Sequence, residues 1–361
     1  MLKSVTKTCG ILTSGGDAPG LNAAIRGVCR TAIDVYGIQV IGFEHGYRGL
    51  IENKSRILQP LELSGILAQG GTILGTSREK PFKDKAWTET DGPSAVELIM
   101  ETYKKNKLDC LVVLGGNGTN TTGALLAREG LNVIGLPKTI DNDIVETDIT
   151  FGFHTALYVA TDAIDRLHST ASSHNRVMVI ELMGHKAGWL SLYSGIAGGG
   201  DVILLPEIPY SIESISRHLE DRARSGKTFS IIVVAEGALS TEEAKLDRKT
   251  FKKQREQMTS SIGYRVAKEI ETATGIESRV TVLGYLQRGG TPVAYDRVLA
   301  SQFGTAAAGM LASGEYGKMV ALQNNEVVGV PLEKVANRIK TVPLDHRMLH
   351  TARDVGTCLG D

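Results

Sequence analysis

The stretch DCLVVLGGNGTNTTGALLARE, residues 109–129, decides the fold. Its apolar run, Cys110–Leu114, has the length of a strand buried on both faces. Gly115 and Gly116 break it. Asn117, Gly118 and Thr119 then lead into a segment with helical spacing, with Thr and Asn available as caps. A strand, a glycine turn and a helix open a βαβ unit, and such units stack into parallel sheets covered on both faces.

Working outward, the same rhythm recurs. TCGILTSGGDAPGLNAAIRG (8–27) is strand, glycine turn and helix, and QVIGFE and LNVIGLP are further strands. RVMVIELMG (176–184), FSIIVVAEG (229–237) and RVTVLGYLQRGG (279–290) each read as a strand running into a polar or glycine-rich turn. IESISRHLEDRARSG and TSSIGYRVAKEIETATG carry helical spacing between them. The fold class is therefore α/β with mainly parallel sheets, in which ligands sit beyond the carboxyl ends of the strands. The unusual polar clusters fall at those ends. SREKPFKDKAWTETDGPSAVE (77–97) is charged, holds two prolines and reads as a surface insertion.

The bulk numbers bound the function. A chain of 361 residues suits two domains, and its 40 basic and 40 acidic residues balance, which argues against nucleic acid as a partner. A neutral protein still binds phosphates where positive groups are locally in excess. Cys9, Cys29, Cys110 and Cys358 are scattered with no C-x-x-C pair, which argues against zinc. No apolar run has signal or membrane length, so the expectation is a protein of a reducing compartment, the cytoplasm, without a membrane partner.

TSGGDAPGLN (13–22) is neither G-x-G-x-x-G nor a Walker A loop. Gly15 and Gly16 let the backbone approach a ligand, and the helix start adds donors and a positive dipole end. It reads either as a phosphate loop or as a tight strand-to-helix turn. LGGNGTN (114–120) has the same design, with Gly116, Asn117 and Gly118 before Thr119 at the cap. Two such loops on one sheet converge on one anion, and a side chain at Gly118 would intrude on whatever lies across the loop. LPKTIDND (136–143) adds Lys138, a point charge for phosphate, and Asp141 and Asp143, which can act as general base or hold a metal. Asn142 suits a cap on the following helix. Arg176 precedes one strand, MGHKAG and Glu236 end two others, and Arg279 and Arg288 bracket a fourth, as clamps on a phosphorylated substrate would. His154, His168, His174 and His185 show no metal-ligand spacing.

These motifs, in this order, resemble the phosphofructokinases that use ATP or pyrophosphate: GGDAPGLNAAIRG, GTSR, GGNGT, PKTIDND, TASSHNR, MGHKAGW, AEG and LGYLQRGG span most of the chain. The resemblance implies two similar three-layer domains with mainly parallel sheets and an active site in the cleft between them. Residues 1–150 with about 287–340 would bind the phosphoryl donor. Residues 151–286 with the C-terminal tail would bind fructose 6-phosphate. Gly15, Gly16, Arg78, Lys138 and Gly116–Thr119 would line the donor. Asp141 matches the family's general base, and Thr139 and Asp143 would meet sugar phosphate and metal. Met183, Gly184, His185 and Glu236 would hold the sugar, and Tyr285 to Arg288 the 6-phosphate. Arg176 and Arg279 resemble residues that reach a neighbouring subunit's site, which implies a homo-oligomer, dimer or tetramer, with shared sites. The implied cofactor is Mg2+, with Asn117 at the metal and ATP as co-substrate.

The donor is decided by two positions. Relatives that use pyrophosphate carry aspartate where this chain has Gly118, and lysine at the Lys138 position. An absent side chain cannot block a nucleotide, so the expectation is ATP, with a pyrophosphate-dependent enzyme as the alternative. Two departures point to a slower enzyme, or to a weak sugar-phosphate-binding paralogue. Asn117 replaces an aspartate that helps hold magnesium, a charge loss of ~1 to ~4 kcal/mol. His185 replaces an arginine, and histidine cannot make a bidentate phosphate contact. Arg26 and Arg30 match effector-site arginines or are two helix-surface arginines, and Asp201 stands where regulated relatives have glutamate. A dehydrogenase would need the dinucleotide glycines, and Glu44 is only a lone match to a ribose-binding acid.

Overall fold

The computed structural model describes residues 1–84, 92–257 and 260–361, so part of the expected 77–97 insertion lies outside the described residues. Two compact units divide the chain: Met1–Thr155 with Arg288–Ile339, and Ala156–Gln287 with Lys340–Asp361.

The first unit is built on β1 (Thr8–Thr13), β2 (Gln39–Phe43), β3 (Ser55–Ile57), β4 (Cys110–Gly115), β5 (Val133–Pro137), β10 (Lys318–Gln323) and β11 (Glu326–Pro331). They form one sheet in the order β11-β10-β5-β4-β1-β2-β3. The five central strands are parallel, and an antiparallel strand closes each edge. β1 and β4 are buried along nearly their whole length, as their unbroken apolar runs require. Strand order reverses between β1 and β4, so their carboxyl ends form the crevice where α/β sheets take ligands.

Helices cover both faces of this sheet. On one face Ile11, Val112 and Ile134 pack with Ile25 and Phe303. The helices Leu21–Arg30 and Ala294–Ser313 that carry those residues meet backbone to backbone. A Cβ on Gly27 would lie 2.9 Å from the Ser301 carbonyl, and one on Gly304 2.7 Å from that of Ala24, so glycine sets their approach. On the other face Leu12, Val113 and Val133 pack with Ile99 and Leu126.

The second unit has a four-stranded, wholly parallel sheet in the order β7-β8-β6-β9, made of β6 (Val177–Leu182), β7 (Val202–Leu204), β8 (Ser230–Ala235) and β9 (Ser278–Val282). Val179, Ile232 and Val234 pack against Ile215, Leu219, Val266 and Ile270 of the helices Ile212–Arg224 and Ile262–Thr274. The two units share a layered plan, with sheets of unequal size. Among the described residues, no helix is long and apolar enough to cross a membrane.

Candidate active site

Three loops leave the carboxyl ends of β1, β4 and β5 and bond to one another. Lys138 N–H donates to Gly115 O at 3.0 Å, and Thr119 Oγ1 donates to Ser14 O at 3.3 Å. Gly15 holds φ +86°, a left-handed conformation natural to glycine, and its N–H donates to Ser77 O at 2.8 Å. Lys138 Nζ donates to Gly16 O, and Arg288 Nη1 to Asp17 O at 3.0 Å. Two cations therefore grip successive carbonyls of the first glycine loop.

Ser14, Gly15, Gly16, Arg78, Gly118 and Thr119 line a cavity of about 190 Å³. A Cβ added at Gly118 would meet nothing within 4 Å, so the position opens onto free space beside the loop. The helix Asn117–Arg128 starts there, and its unpaired N–H groups and positive dipole end suit an anion. The other expected helix terminus is absent from the site. Gly20, at φ +98°, delays the helix to Leu21, whose first residues are buried. Thr119 is likewise not a cap: Gly116 is the N-cap, and Thr119 sits inside the first turn.

Tyr47, which no motif marks, lines the same cavity from a short helix, Tyr47–Ile51. Its hydroxyl donates to Thr119 O at 2.9 Å, a contact across 72 residues. Glu79 and Lys80 continue the rim beyond Arg78.

On the β5 side, Thr139 Oγ1 accepts from Asp141 N–H at 3.1 Å, and Thr150 Oγ1 donates to Thr139 O at 2.8 Å. Asn142 caps no helix. At φ 50° its Oδ1 accepts from Thr150 N–H at 3.1 Å and ties the loop back on itself, because the next helix begins only at Phe153. Asp141 and Asp143 are half-buried. Lys138 is 3% exposed, and burial pushes its ammonium down to about 8, with Arg288 adding to the effect and Asp17, Asp143 and Asp141 opposing it.

Asn117 Nδ2 donates to Asp143 Oδ2 at 2.7 Å and to Asp143 O at 3.1 Å. Its Oδ1 is left buried without a hydrogen-bond partner. An orphaned amide oxygen beside a carboxylate fits a hard cation, which takes oxygen ligands. Among the described residues no group of three or more His, Cys, Asp or Glu could hold a metal. That donor set fits magnesium, which uses one or two protein ligands plus substrate phosphates.

In the second unit, the carboxyl ends of β6 and β8 carry Met183, Gly184, His185 and Glu236 on two stacked turns. Glu236 N–H donates to Leu182 O at 2.8 Å. A Cβ on Gly237 would overlap the His185 carbonyl, so only glycine lets these turns meet. Tyr285, 74% exposed, lies past the end of β9.

Arg176 and Arg279 lie elsewhere. Arg176 precedes β6 and Arg279 is the second residue of β9, at the amino ends of those strands. The six residues of β6 separate Arg176 from Met183 by ~20 Å. Both arginines hold Glu277, Arg176 Nε at 2.7 Å and Arg279 through Nη2. Arg279 lies in β9, and Arg288 ends the short helical turn Gly284–Arg288 that follows it in the chain.

Other residues named in the sequence have local partners. Glu44 pairs with Lys54 at 3.3 Å and Arg56 at 3.8 Å, Arg30 with Asp34 at 2.8 Å, and Asp201 with Arg222 at 2.7 Å. The His154 ring packs against that of Tyr295 at a 49° tilt, and His168 Nε2 bonds Gly198 O at 2.6 Å.

The family model Phosphofructokinase matches residues 8–311. The chain is 63% identical to an ATP-dependent 6-phosphofructokinase of Spirochaeta thermophila, over all of both chains. It is 52% identical to ATP-dependent 6-phosphofructokinase 3 of Bacteroides thetaiotaomicron, over 97% of this chain and 99% of that one. Among solved structures, Pichia pastoris phosphofructokinase in the T-state superposes with a TM-score of 0.79 at 32% identity, covering 91% of this chain and 35% of that chain.

Proposed function

The chain belongs to the phosphofructokinase family, and from that premise we propose that it transfers the γ-phosphoryl group of ATP to the 1-hydroxyl of fructose 6-phosphate, giving fructose 1,6-bisphosphate in glycolysis. The observation that carries ATP as donor is Gly118, where the loop faces open space and no side chain stands in a nucleotide's way. The 190 Å³ cavity is smaller than the ~300–1,000 Å³ that encloses a whole drug-sized ligand, so it takes the phosphates while the nucleoside lies over the rim.

In this reading the first unit, residues 1–150 with about 287–340, binds the donor, and residues 151–286 with the tail bind the sugar phosphate. Gly15, Gly16, Gly116, Gly118 and Thr119 cradle the phosphates with backbone donors, and Arg78 and Lys138 supply charge. Asp141 takes the proton of the 1-hydroxyl as its oxygen attacks the γ-phosphorus. The bond to the β–γ bridging oxygen breaks, and ADP leaves. Thr139 and Asp143 orient the acceptor. Asn117 Oδ1 and Asp143 would hold Mg2+, which neutralises phosphate charge when bound. Met183, Gly184, His185 and Glu236 hold the sugar, with Tyr285 to Arg288 at its 6-phosphate.

Arg176 and Arg279, ~20 Å from those turns, serve the site of a second copy, so the active enzyme is a homo-oligomer with shared sites. Four free cysteines suit the reducing cytoplasm. A coupled assay with ATP, fructose 6-phosphate and Mg2+ tests the proposal; no fructose 1,6-bisphosphate would overturn it. Lys138, with its ammonium on the donor loop, favours pyrophosphate as a second reading. The same assay with pyrophosphate in place of ATP separates the two.

A further inference from the structure

Asp296 is fully buried and takes no part in the reaction described so far. It stands in the first turn of the helix Ala294–Ser313. Its Oδ1 accepts from Gly152 N–H at 3.0 Å, and its Oδ2 from Thr155 N–H at 2.7 Å and from the Thr155 hydroxyl at 2.6 Å. The same hydroxyl oxygen accepts from Val293 N–H at 3.1 Å. Burial pushes the Asp296 carboxyl up, and these bonds, with nearby His154, oppose it. An ionised carboxylate only accepts hydrogen bonds, and here three donors converge on one. Two of them are backbone groups at the start of the helix Phe153–His174, where the first turn offers them no partner. A helix start is ordinarily capped by the residue just before it, whereas this one is capped by a carboxylate 141 residues further along the chain.

The capped segment leads back to the proposed general base. Thr150 donates its hydroxyl to Thr139 O and its N–H to Asn142 Oδ1, and Phe151 bridges to Lys138. Thr139 in turn accepts from Asp141 N–H. The turn that carries Asp141 therefore hangs on Thr150 and Phe151, and the next residue, Gly152, is held by Asp296. A Cβ on Gly152 would lie 2.8 Å from that of Ala18, so the segment also touches the first glycine loop.

We propose that Asp296 is a positioning residue for the phosphoryl transfer: by capping the segment Gly152–Thr155 it fixes the return strap that holds the Asp141 turn in place. The proposal rests on the reading of Asp141 as the base. A base displaced by ~1 Å loses ~10²-fold in rate, so a strap of this kind acts on turnover more than on donor binding.

Steady-state kinetics on the full-length enzyme tests it with Asp296→Asn and with Thr155→Val, which removes the hydroxyl and keeps the side-chain volume. Each should lower kcat about 10- to 100-fold and leave the KM for ATP within about twofold. Thr155→Ser keeps the hydroxyl and should hold kcat within about threefold of the parent. Combined with Asp141→Asn, Thr155→Val should cost less than about twofold more, because no base is left to place. Equal losses with and without Asp141 overturn the proposal, since a merely structural bond lowers both alike. Unchanged kcat in both variants also overturns it. So does a rise in the KM for ATP as large as the fall in kcat, which would put the effect on the first glycine loop. Thr155→Val carries the test even if Asp296→Asn fails to fold. Amide hydrogen exchange of the ligand-free protein, read by mass spectrometry, needs no turnover. Across residues 138–150 it should speed up about 10-fold in Thr155→Val, match the parent in Thr155→Ser, and stay unchanged in the helix Asn117–Arg128. If Asp141→Asn keeps the parent's turnover, the base assignment fails by itself, and unchanged exchange across 138–150 then overturns the positioning role.

Discussion

The carboxyl edges of the two sheets are built differently. On the first, the three loops bond to one another, Lys138 and Thr119 are buried, and the Tyr47 hydroxyl donates to Thr119 O. On the second, His185, Lys186 and Tyr285 stand in solvent, and two expected substrate arginines are tied to Glu277 at the far end of the strands. Phosphoryl transfer demands positioning at the reacting group, and the first edge is preorganised for it. On the proposed reading the second edge takes the sugar phosphate, while Arg176 and Arg279 stand at the amino ends of its strands.

This contrast breaks most readily at Asp141. Asp141→Asn should lower kcat by about 10²–10⁴-fold, the usual share of general acid–base catalysis, with the KM for fructose 6-phosphate within a few-fold. A variant retaining a tenth of the turnover in a coupled assay would move the base elsewhere. Next in size is Gly118→Asp. A carboxylate in that open space repels the donor's phosphates by ~1–4 kcal/mol, about 5- to 10³-fold in the KM for ATP. Fructose 6-phosphate affinity should be untouched, and equal losses for both substrates would show that the two edges do not divide the work.

On the second edge, Gly237→Ala drives a methyl into the His185 carbonyl. Overpacking of that kind costs about 1–3 kcal/mol. The thermal midpoint should fall and the KM for fructose 6-phosphate rise, while ATP binding holds. A variant as stable as the parent would mean that the stacked turns yield easily.

How much of this was legible in sequence follows from where each contact comes from. The glycine loops, Lys138–Asp143 and the MGHKAG and AEG turns are local features, each following an apolar strand, and the alternation that places them survives in the linear chain. Tyr47 was not legible, because nothing near it in sequence announces a bond to Thr119. Arg176 was readable at the start of the strand that MGHKAG ends, and so as distant from that turn, but the Glu277 that it shares with Arg279 was not. The first helix starts at Leu21, where its spacing begins in the sequence, but Gly20's left-handed backbone before it was not legible there.

A smaller effect is expected at Asn117. Asn117→Asp adds a charge to the oxygen that lacks a partner and should tighten Mg2+ and raise turnover at limiting Mg2+ about 10-fold, a gain of ~1–2 kcal/mol. No gain would place the metal on Asp143 and the phosphates alone.

Lys138 gives the smallest change in donor binding, and its sign is testable in two directions. Its folded value is about 8 and its ordinary value 10.5. Between those values the unfolded chain binds more protons than the folded one, so stability rises as pH rises from about 8 to 10.5. Below pH 8 the penalty for burying the ammonium is fully present, up to roughly 3 kcal/mol. Lys138→Met should therefore raise the thermal midpoint of the ligand-free protein at pH 7, and the gain should fade by pH 10. Donor binding runs the other way. The ammonium attracts phosphate only while protonated, so affinity should fall a few-fold as pH passes 8 in the parent and stay flat in Lys138→Met. A pyrophosphate affinity more sensitive to this variant than that of ATP would make Lys138, and not Gly118, the residue that chooses the donor. Equal sensitivity would leave that choice with the open space at Gly118.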